Sequence, residues 1–309
     1  MIKIYHSENN KLNEIDELVP GAWISVSNPS KEEQEELIEK YKVNPDFLED
    51  SLDKEEIPRI DQEDGQLLLI ISMPVKSNNN HEFYTTLPLS IILFDNFIMT
   101  ISLAEDSVLD EFKHNRVRGF RTQYKTRFIL QVLSKTTDLY LRYLKVLELL
   151  ITKVEKSSKS KVKNNALNKM LKIEHTFVYF STALRSNERV LERLLRHERI
   201  KQYPEDAELL DDVIIDNKQA VDTVDVYTNI LSSTMEAYAS IISNNQNEIM
   251  KNLTSITIIM SIPNIIAGLY GMNVALPFQN DAFAFVNIIA IIVVIAIIIG
   301  LILRSNDML

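Results

Sequence analysis

Steps of three and four residues join Asn247, Met250, Thr254, Thr257, Ser261, Asn264, Gly268 and Gly271 into one stripe if the segment is helical. The stripe carries amides, hydroxyls and bare glycine backbone, while Ile and Leu fill the other faces. Neutral oxygens of this kind hydrogen-bond water, including the waters around a cation, without the tight grip of a carboxylate. The alternative chemistry is glue between helices, because small and hydroxyl residues also mediate packing inside membranes. Pro263 speaks for water: it removes a donor and leaves the carbonyl of Ile259 unpaired, which lipid penalises and an aqueous path does not. One copy cannot enclose a path. A ring of identical helices can, since symmetry turns a single Asn or Gly into a ring of amides or carbonyls.

Two elements must carry this chemistry. Residues 253–269 contain no charged side chain, and at about 1.5 Å per helical residue they cross most of a bilayer core roughly 30 Å thick. A second uncharged run, 282–303, follows a short loop; only Asn287 and Gly300 interrupt its Ile- and Val-rich surface, so it suits lipid on every side. Together they make a membrane hairpin. Lys251 precedes the first span, Arg304 follows the second, and the loop between carries no Lys or Arg, which places both termini in the cytoplasm.

Tyr270-Gly271-Met272-Asn273, just after Ile266-Ala267-Gly268, resembles the Gly-Met-Asn signature of the CorA-type magnesium transporters. It lies at the outer end of the penultimate span, close to the C-terminus, as in that family. The similarity extends upstream through Asn247-Glu248, Met250-Lys251, Leu253-Thr254 and the segment around Asp212 and Val213, and it reaches Trp23-Ile24 and Leu48-Glu49-Asp50. Between about 113 and 199 only the pattern is shared. The resemblance implies an α+β chain with a cytoplasmic N-terminal α/β domain, a long helical stalk and two C-terminal transmembrane helices, assembled as a homopentamer in the cell (inner) membrane. It further implies passive, potential-driven Mg²⁺ uptake, with Mg²⁺ both transported and regulatory. Transport of Co²⁺, Ni²⁺ or Zn²⁺ is the alternative within the family. A membrane-anchored scaffold or sensor without a pore is the alternative outside it.

By the same resemblance Gly271, Met272 and Asn273 form an outer selectivity filter, with Asn273 and the Gly271 carbonyl supplying its oxygens. A helix C-cap of Gly and Asn would use the same residues. Gly271 lacks a Cβ, which permits a tight backbone turn there. Asn264 and, near the inner mouth, Asn247 match pore-lining positions, and Thr257 and Ser261 share their stripe. Met250 and Leu253 match a hydrophobic constriction that gates by dewetting, where simple packing is the other reading. Asp50, with Glu49 beside it, and Asp212 match positions where intracellular Mg²⁺ binds between neighbouring cytoplasmic domains. Two carboxylates about 4 Å apart repel by about 1 kcal/mol in water and about 4 at an effective dielectric near 20. Moving a population from 1:99 to 99:1 takes roughly 5.5 kcal/mol, so a ring of equivalent sites supplies what one site does not. A solvated acidic face is the other reading of the acidic stretch 205–216. The chain departs from the family in its outer loop, 274–281, where Asp281 is the one carboxylate, and in its tail, where a basic segment is reduced to RSNDML.

The 309 residues suit one soluble domain plus the hairpin. Cysteine is absent, so neither disulfides nor thiolate sites can form, which fits a reducing compartment. His6, His81, His114, His175 and His197 lack ligand spacing and give no zinc site. A net charge of −10 speaks against nucleic acid and is compatible with divalent cations. The N-terminal segment has no signal-peptide hydrophobic core, so the first 250 residues or so are not expected to be exported. No phosphate loop, G-x-S-x-G or H-E-x-x-H occurs, and no enzyme is expected.

In order along the chain, apolar or alternating runs at 2–5, 22–26, 66–73, 87–94 and 96–103 predict strands. Between them, Ser30 with Glu33 makes a capping box, and Asn44-Pro45 caps a helix at 47–52. These elements make an α/β domain over 1–105. Long antiparallel helices are expected over 106–203: there is no Pro between Pro88 and Pro204, no Gly between Gly119 and Gly268, and apolar residues recur at helical spacing over 130–154 and 167–195. Reversals are expected at 156–161 and 202–203. A stalk helix, 204–252, then runs into the first transmembrane helix, 253–273, followed by the outer loop, the second transmembrane helix at 282–304 and a cytoplasmic tail at 305–309. Stalk and first span make one helix of about 65 residues, roughly 100 Å, a lever on the polar stripe.

Overall fold

The computed structural model describes residues 1–8, 11–77, 81–104, 108–157, 163–197, 204–274, 277 and 283–306. The reversal expected at 202–203, most of that at 156–161, Asp281 and the last three residues of the tail lie outside the described residues. The chain divides into two compact units, Met1–Ser233 and Thr234–Leu309.

The first unit is built on a sheet of β1 (Ile2–Glu8), β2 (Lys11–Ile15), β3 (Trp23–Ser27), β4 (Arg59–Glu63), β5 (Gln66–Lys76), β6 (Tyr84–Leu93) and β7 (Ile98–Ser102). Their order is β2-β1-β3-β7-β6-β5-β4, and every neighbouring pair is antiparallel except β3 with β7. Strand β5 explains its own apolar run: Leu67, Leu69, Ile71 and Met73 enter one core, while Leu68 and Ile70 enter another on the opposite face. A strand covered on both sides loses the polar–apolar alternation of a half-solvated one. Leu37, Phe47 and Leu48 from α1 (Lys31–Glu39) and α2 (Pro45–Leu52) cover one face. The other is covered by Leu109 and Phe112 of α3 (Leu109–Lys113), Leu130 of α4 (Lys125–Ser157), Leu191 of α5 (Lys163–Leu194) and Val213 of α6 (Pro204–Tyr270). The two short helices start as their sequences dictate. Ser30 and Glu33 form the reciprocal capping box, and the Asn44 side chain accepts from the Asp46 N–H with Pro45 in the first turn.

Polar side chains tie strand to strand and helix to sheet. Trp23 Nε1 donates to Thr100 Oγ1 at 2.9 Å across the β3–β7 pair. Asn187 of α5 both accepts from the Ser72 N–H (2.9 Å) and donates to the Ser72 carbonyl (2.8 Å), and the Tyr140 hydroxyl donates to that carbonyl at 3.1 Å.

The first long helix begins later than the loss of proline and glycine suggests. Between α3 and Lys125 the backbone turns through Asn115 and Gly119, both at positive φ, and brings Phe120 against Phe112, Phe128 and Trp23. Burial of those rings outweighs what an uninterrupted helix would gain there. Two outer strands, β2 and β4, also escape the apolar-run criterion. Both lie at sheet edges, and most of their side chains are polar and face solvent.

The second unit consists of the end of α6 and of α7 (Ala284–Ser305). Helix α6 is unbroken for 67 residues and contains Pro263. Only 11% of its apolar window and 6% of that of α7 is buried within the chain, whereas the core helix of a soluble protein is mostly buried.

Candidate functional site

Asn247, Met250, Leu253, Thr257 and Asn264 all lie exposed on α6, and Ser261 is half-buried. The packed side of the same segment runs through Ser255 (0% exposed) and Ile262 (9%), flanked by half-buried Ile259, Ile266 and Tyr270. At about 100° per residue the two stripes fall on opposite sides of the helix. Helix α7 is the described element of this unit that can cover the packed stripe. The polar stripe is therefore not glue to the chain's own second span. Met250 and Leu253 keep 58% and 56% of their surface exposed, so packing within the chain does not account for them.

Local hydrogen bonds decide what the stripe can offer. Thr257 Oγ1 donates to the Leu253 carbonyl and Ser261 Oγ to the Thr257 carbonyl, each at 2.7 Å. With their protons committed to the helix, both hydroxyls present lone pairs outward. Acceptors are what the waters of a hydrated cation need, because metal-bound water donates.

Two expectations change. Pro263 and Ile259 are half-buried and adjoin the packed stripe, so the freed carbonyl is no argument for a wet face. Gly271 does not adopt a left-handed φ: its N–H still donates to Ala267 O at 2.9 Å, and Met272 N–H closes a tighter turn onto Leu269 O at 3.2 Å. A glycine-type C-cap is thus not formed. Glycine eases the helix end for another reason, since a Cβ at this position would lie 3.2 Å from the Ala267 oxygen and the backbone would have to give by a few tenths of an ångström. Gly271, Met272 and Asn273 are exposed at the end of α6, and the Tyr270 hydroxyl just before them donates to the Pro277 carbonyl at 3.2 Å.

In the first unit Glu49 and Asp50 close α2. Glu49 is exposed; Asp50 is half-buried and accepts from Arg59 Nη2 at 2.5 Å, and the other arm of that guanidinium pairs with Glu56. Burial would lower the Arg59 pKa, but Asp50 and Glu56 outweigh it and hold it above its ordinary value. Glu35, Glu49, Asp50, Asp53 and Glu56 line one concavity with Lys31. Asp212 is exposed on α6, one turn before Asp216. Burial first, and then Asp138 and Asp212, push the Asp216 carboxyl above its ordinary value.

Among the described residues no hydrogen bond or ion pair joins Glu49 or Asp50 to Asp212, and no three His, Asp or Glu are placed to share a metal. Carboxylate oxygens suit Mg²⁺, which keeps several of its waters. Sequence reasoning missed Arg59, which nothing marks except a positive charge following an acidic helix. It also passed over Asp216, for which the spacing of four from Asp212 was the available signal.

A profile of the family described as CorA-like Mg²⁺ transporter protein matches residues 21–304. The cobalt/magnesium transport protein CorA of Methanocaldococcus jannaschii is 30% identical over 294 residues, covering 92% of this chain and 90% of that one. Its namesake from Thermotoga maritima is 24% identical over 284 residues, covering 89% and 80%. The solved complete structure of the CorA magnesium transporter from M. jannaschii matches with a TM-score of 0.83 at 27% identity, covering 98% of this chain and 97% of that one. With profile, relative and solved structure each matching nearly the whole length, this chain belongs to the CorA family of membrane metal-ion transporters.

Proposed function

We propose that copies of this chain assemble as a homopentameric channel in the cell (inner) membrane, both termini cytoplasmic, through which Mg²⁺ enters passively. The observation that carries the reading is the polar stripe of α6, which its own chain leaves bare on the side opposite the packed one. Around a symmetry axis Asn273 and the Gly271 carbonyl make the outer filter with Met272 beside them. Asn264, Ser261 and Thr257 line the path as acceptors for the ion's waters, Leu253 and Met250 make an apolar constriction, and Asn247 stands at the inner mouth. A potential of about 100 mV is worth about 4.6 kcal/mol to a dication, so no nucleotide is needed.

Regulation follows from the carboxylates. Glu49 and Asp50 on one subunit and Asp212 on its neighbour hold intracellular Mg²⁺, which neutralises them and keeps the ring closed. Loss of the ion restores their repulsion and loosens the ring.

The test is flux of Mg²⁺, Co²⁺ and Zn²⁺ into liposomes carrying the purified protein. Mg²⁺ uptake that Asn273→Ala abolishes is the expected result. A scaffold or sensor without a pore predicts no flux from the parent protein, and that outcome would end the channel reading.

A further inference from the structure

We propose that Arg59 is a built-in competitor for the regulatory cation: its guanidinium pairs with Asp50 and sets how much Mg²⁺ is needed to close the channel. The inference rests on the reading that Asp50 helps to hold that ion, and it names a residue which that reading does not contain.

Arg59 opens β4 and is held from two sides, by Asp50 through Nη2 and by Glu56 through Nη1. The fork of a guanidinium can grip two carboxylates at once, which an ammonium matches less well. Position adds to the hold. On one side lies the acidic concavity containing Glu49, Asp50, Asp53 and Glu56. On the other, Arg59 lines a second concavity with Arg189, Glu192, Arg193 and Arg196 of α5 and its continuation; three cations to one carboxylate leave this wall net positive, and none of the three arginines has a carboxylate partner among the described residues. Positive charge behind Arg59 and negative charge ahead of it both drive the guanidinium onto Asp50.

A dication approaching Asp50 therefore meets a carboxylate already neutralised by a cation within hydrogen-bond distance. It must displace the arm of Arg59 or share the carboxylate with it, and either lowers its affinity. The consequence is range: with the guard in place the site responds at higher Mg²⁺ concentrations than it would without it.

The experiment is a Mg²⁺ titration of the full-length protein in detergent, read as the midpoint of Mg²⁺-dependent protection against a protease. Arg59→Gln and Arg59→Met lower the midpoint by about fivefold or more, the expectation for removing one cation beside a partly solvated dication site. Arg59→Lys, which keeps the charge without the fork, falls between them and the parent. Arg185→Gln removes an equal charge that is paired elsewhere, with Asp225, and leaves the midpoint within about twofold. Should one neutral variant fail to fold, the other two substitutions still decide the order. A midpoint unchanged or raised in the neutral variants overturns the role of Arg59. Asp50→Asn separates the two levels: if it abolishes protection while Arg59→Gln does nothing, only the competitor idea falls, and if Asp50→Asn leaves the midpoint unchanged, the Asp50 site falls and the competitor with it.

Discussion

Replacing Gly271 by alanine separates the pore reading from ordinary helix energetics. The added Cβ would sit 3.2 Å from Ala267 O and 3.5 Å from Gly268 O, so the end of α6 must give by a few tenths of an ångström. That costs on the order of 1 kcal/mol if absorbed as about 7° of bond-angle strain. Alanine recovers a similar amount, about 1 kcal/mol, through its higher helix propensity. The single chain should thus be almost indifferent, with a midpoint of thermal unfolding within about 2–4 °C of the parent. Transport should not be indifferent. A displacement worth only about 0.3 kcal/mol per chain, repeated around a homopentamer, lowers flux about tenfold. The assay is Mg²⁺ uptake into liposomes followed with a Mg²⁺-sensitive dye, with thermal unfolding of the same samples. Gly300→Ala is the comparator, because this residue lies on α7 away from the polar stripe, and its Cβ meets nothing within 4 Å and gains the same propensity without the crowding. It should keep flux within about threefold of the parent. Parental flux in Gly271→Ala, or equal losses in both variants, would refute the assignment of the filter to the Gly271 backbone.

Leu253→Asn should hydrate the inner constriction and raise Mg²⁺ flux at high internal Mg²⁺, measured in liposomes preloaded with the ion. Asp216→Asn should stabilise the Mg²⁺-free protein at neutral pH. Its carboxyl is pushed up, so the folded state favours the proton and stability falls as pH rises from about 4 through the raised value. The like-charged neighbour one turn away accounts for about 0.2–0.5 kcal/mol of this, read as a flatter pH dependence of thermal unfolding in the variant. Asn187→Ala removes both side-chain bonds to Ser72 and leaves a buried N–H unpaired, which should cost about 1–3 kcal/mol in denaturant unfolding followed by the single tryptophan, Trp23.

Much of this architecture is legible in the residues because local and global preferences agree. The capping box at Ser30, the Asn44-Pro45 start and the uncharged runs of the hairpin each rest on chemistry within a few positions, and each appears where that chemistry puts it. What was missed depends on contacts distant in sequence. Strand β4 is polar and owes its existence to pairing with β5 across the Asp64-Gly65 turn, both residues at positive φ. The late start of α4 follows from aromatic contacts between Phe120 and rings that the sequence does not place beside it. In the site, spacing alone drew the polar stripe. Which side of α6 packs, and that Arg59 sits on Asp50, required coordinates.

The polarity of the sheet's two margins has a consequence for any assembly of this chain. Copies tethered through their spans meet at effective concentrations on the order of millimolar, where unpaired strand borders could zip into continuous ribbons from one subunit to the next. Lys11 and Glu14 on one border, and Arg59, Asp61 and Glu63 on the other, make such zipping unfavourable. In the ring proposed above, neighbours so protected stay separable.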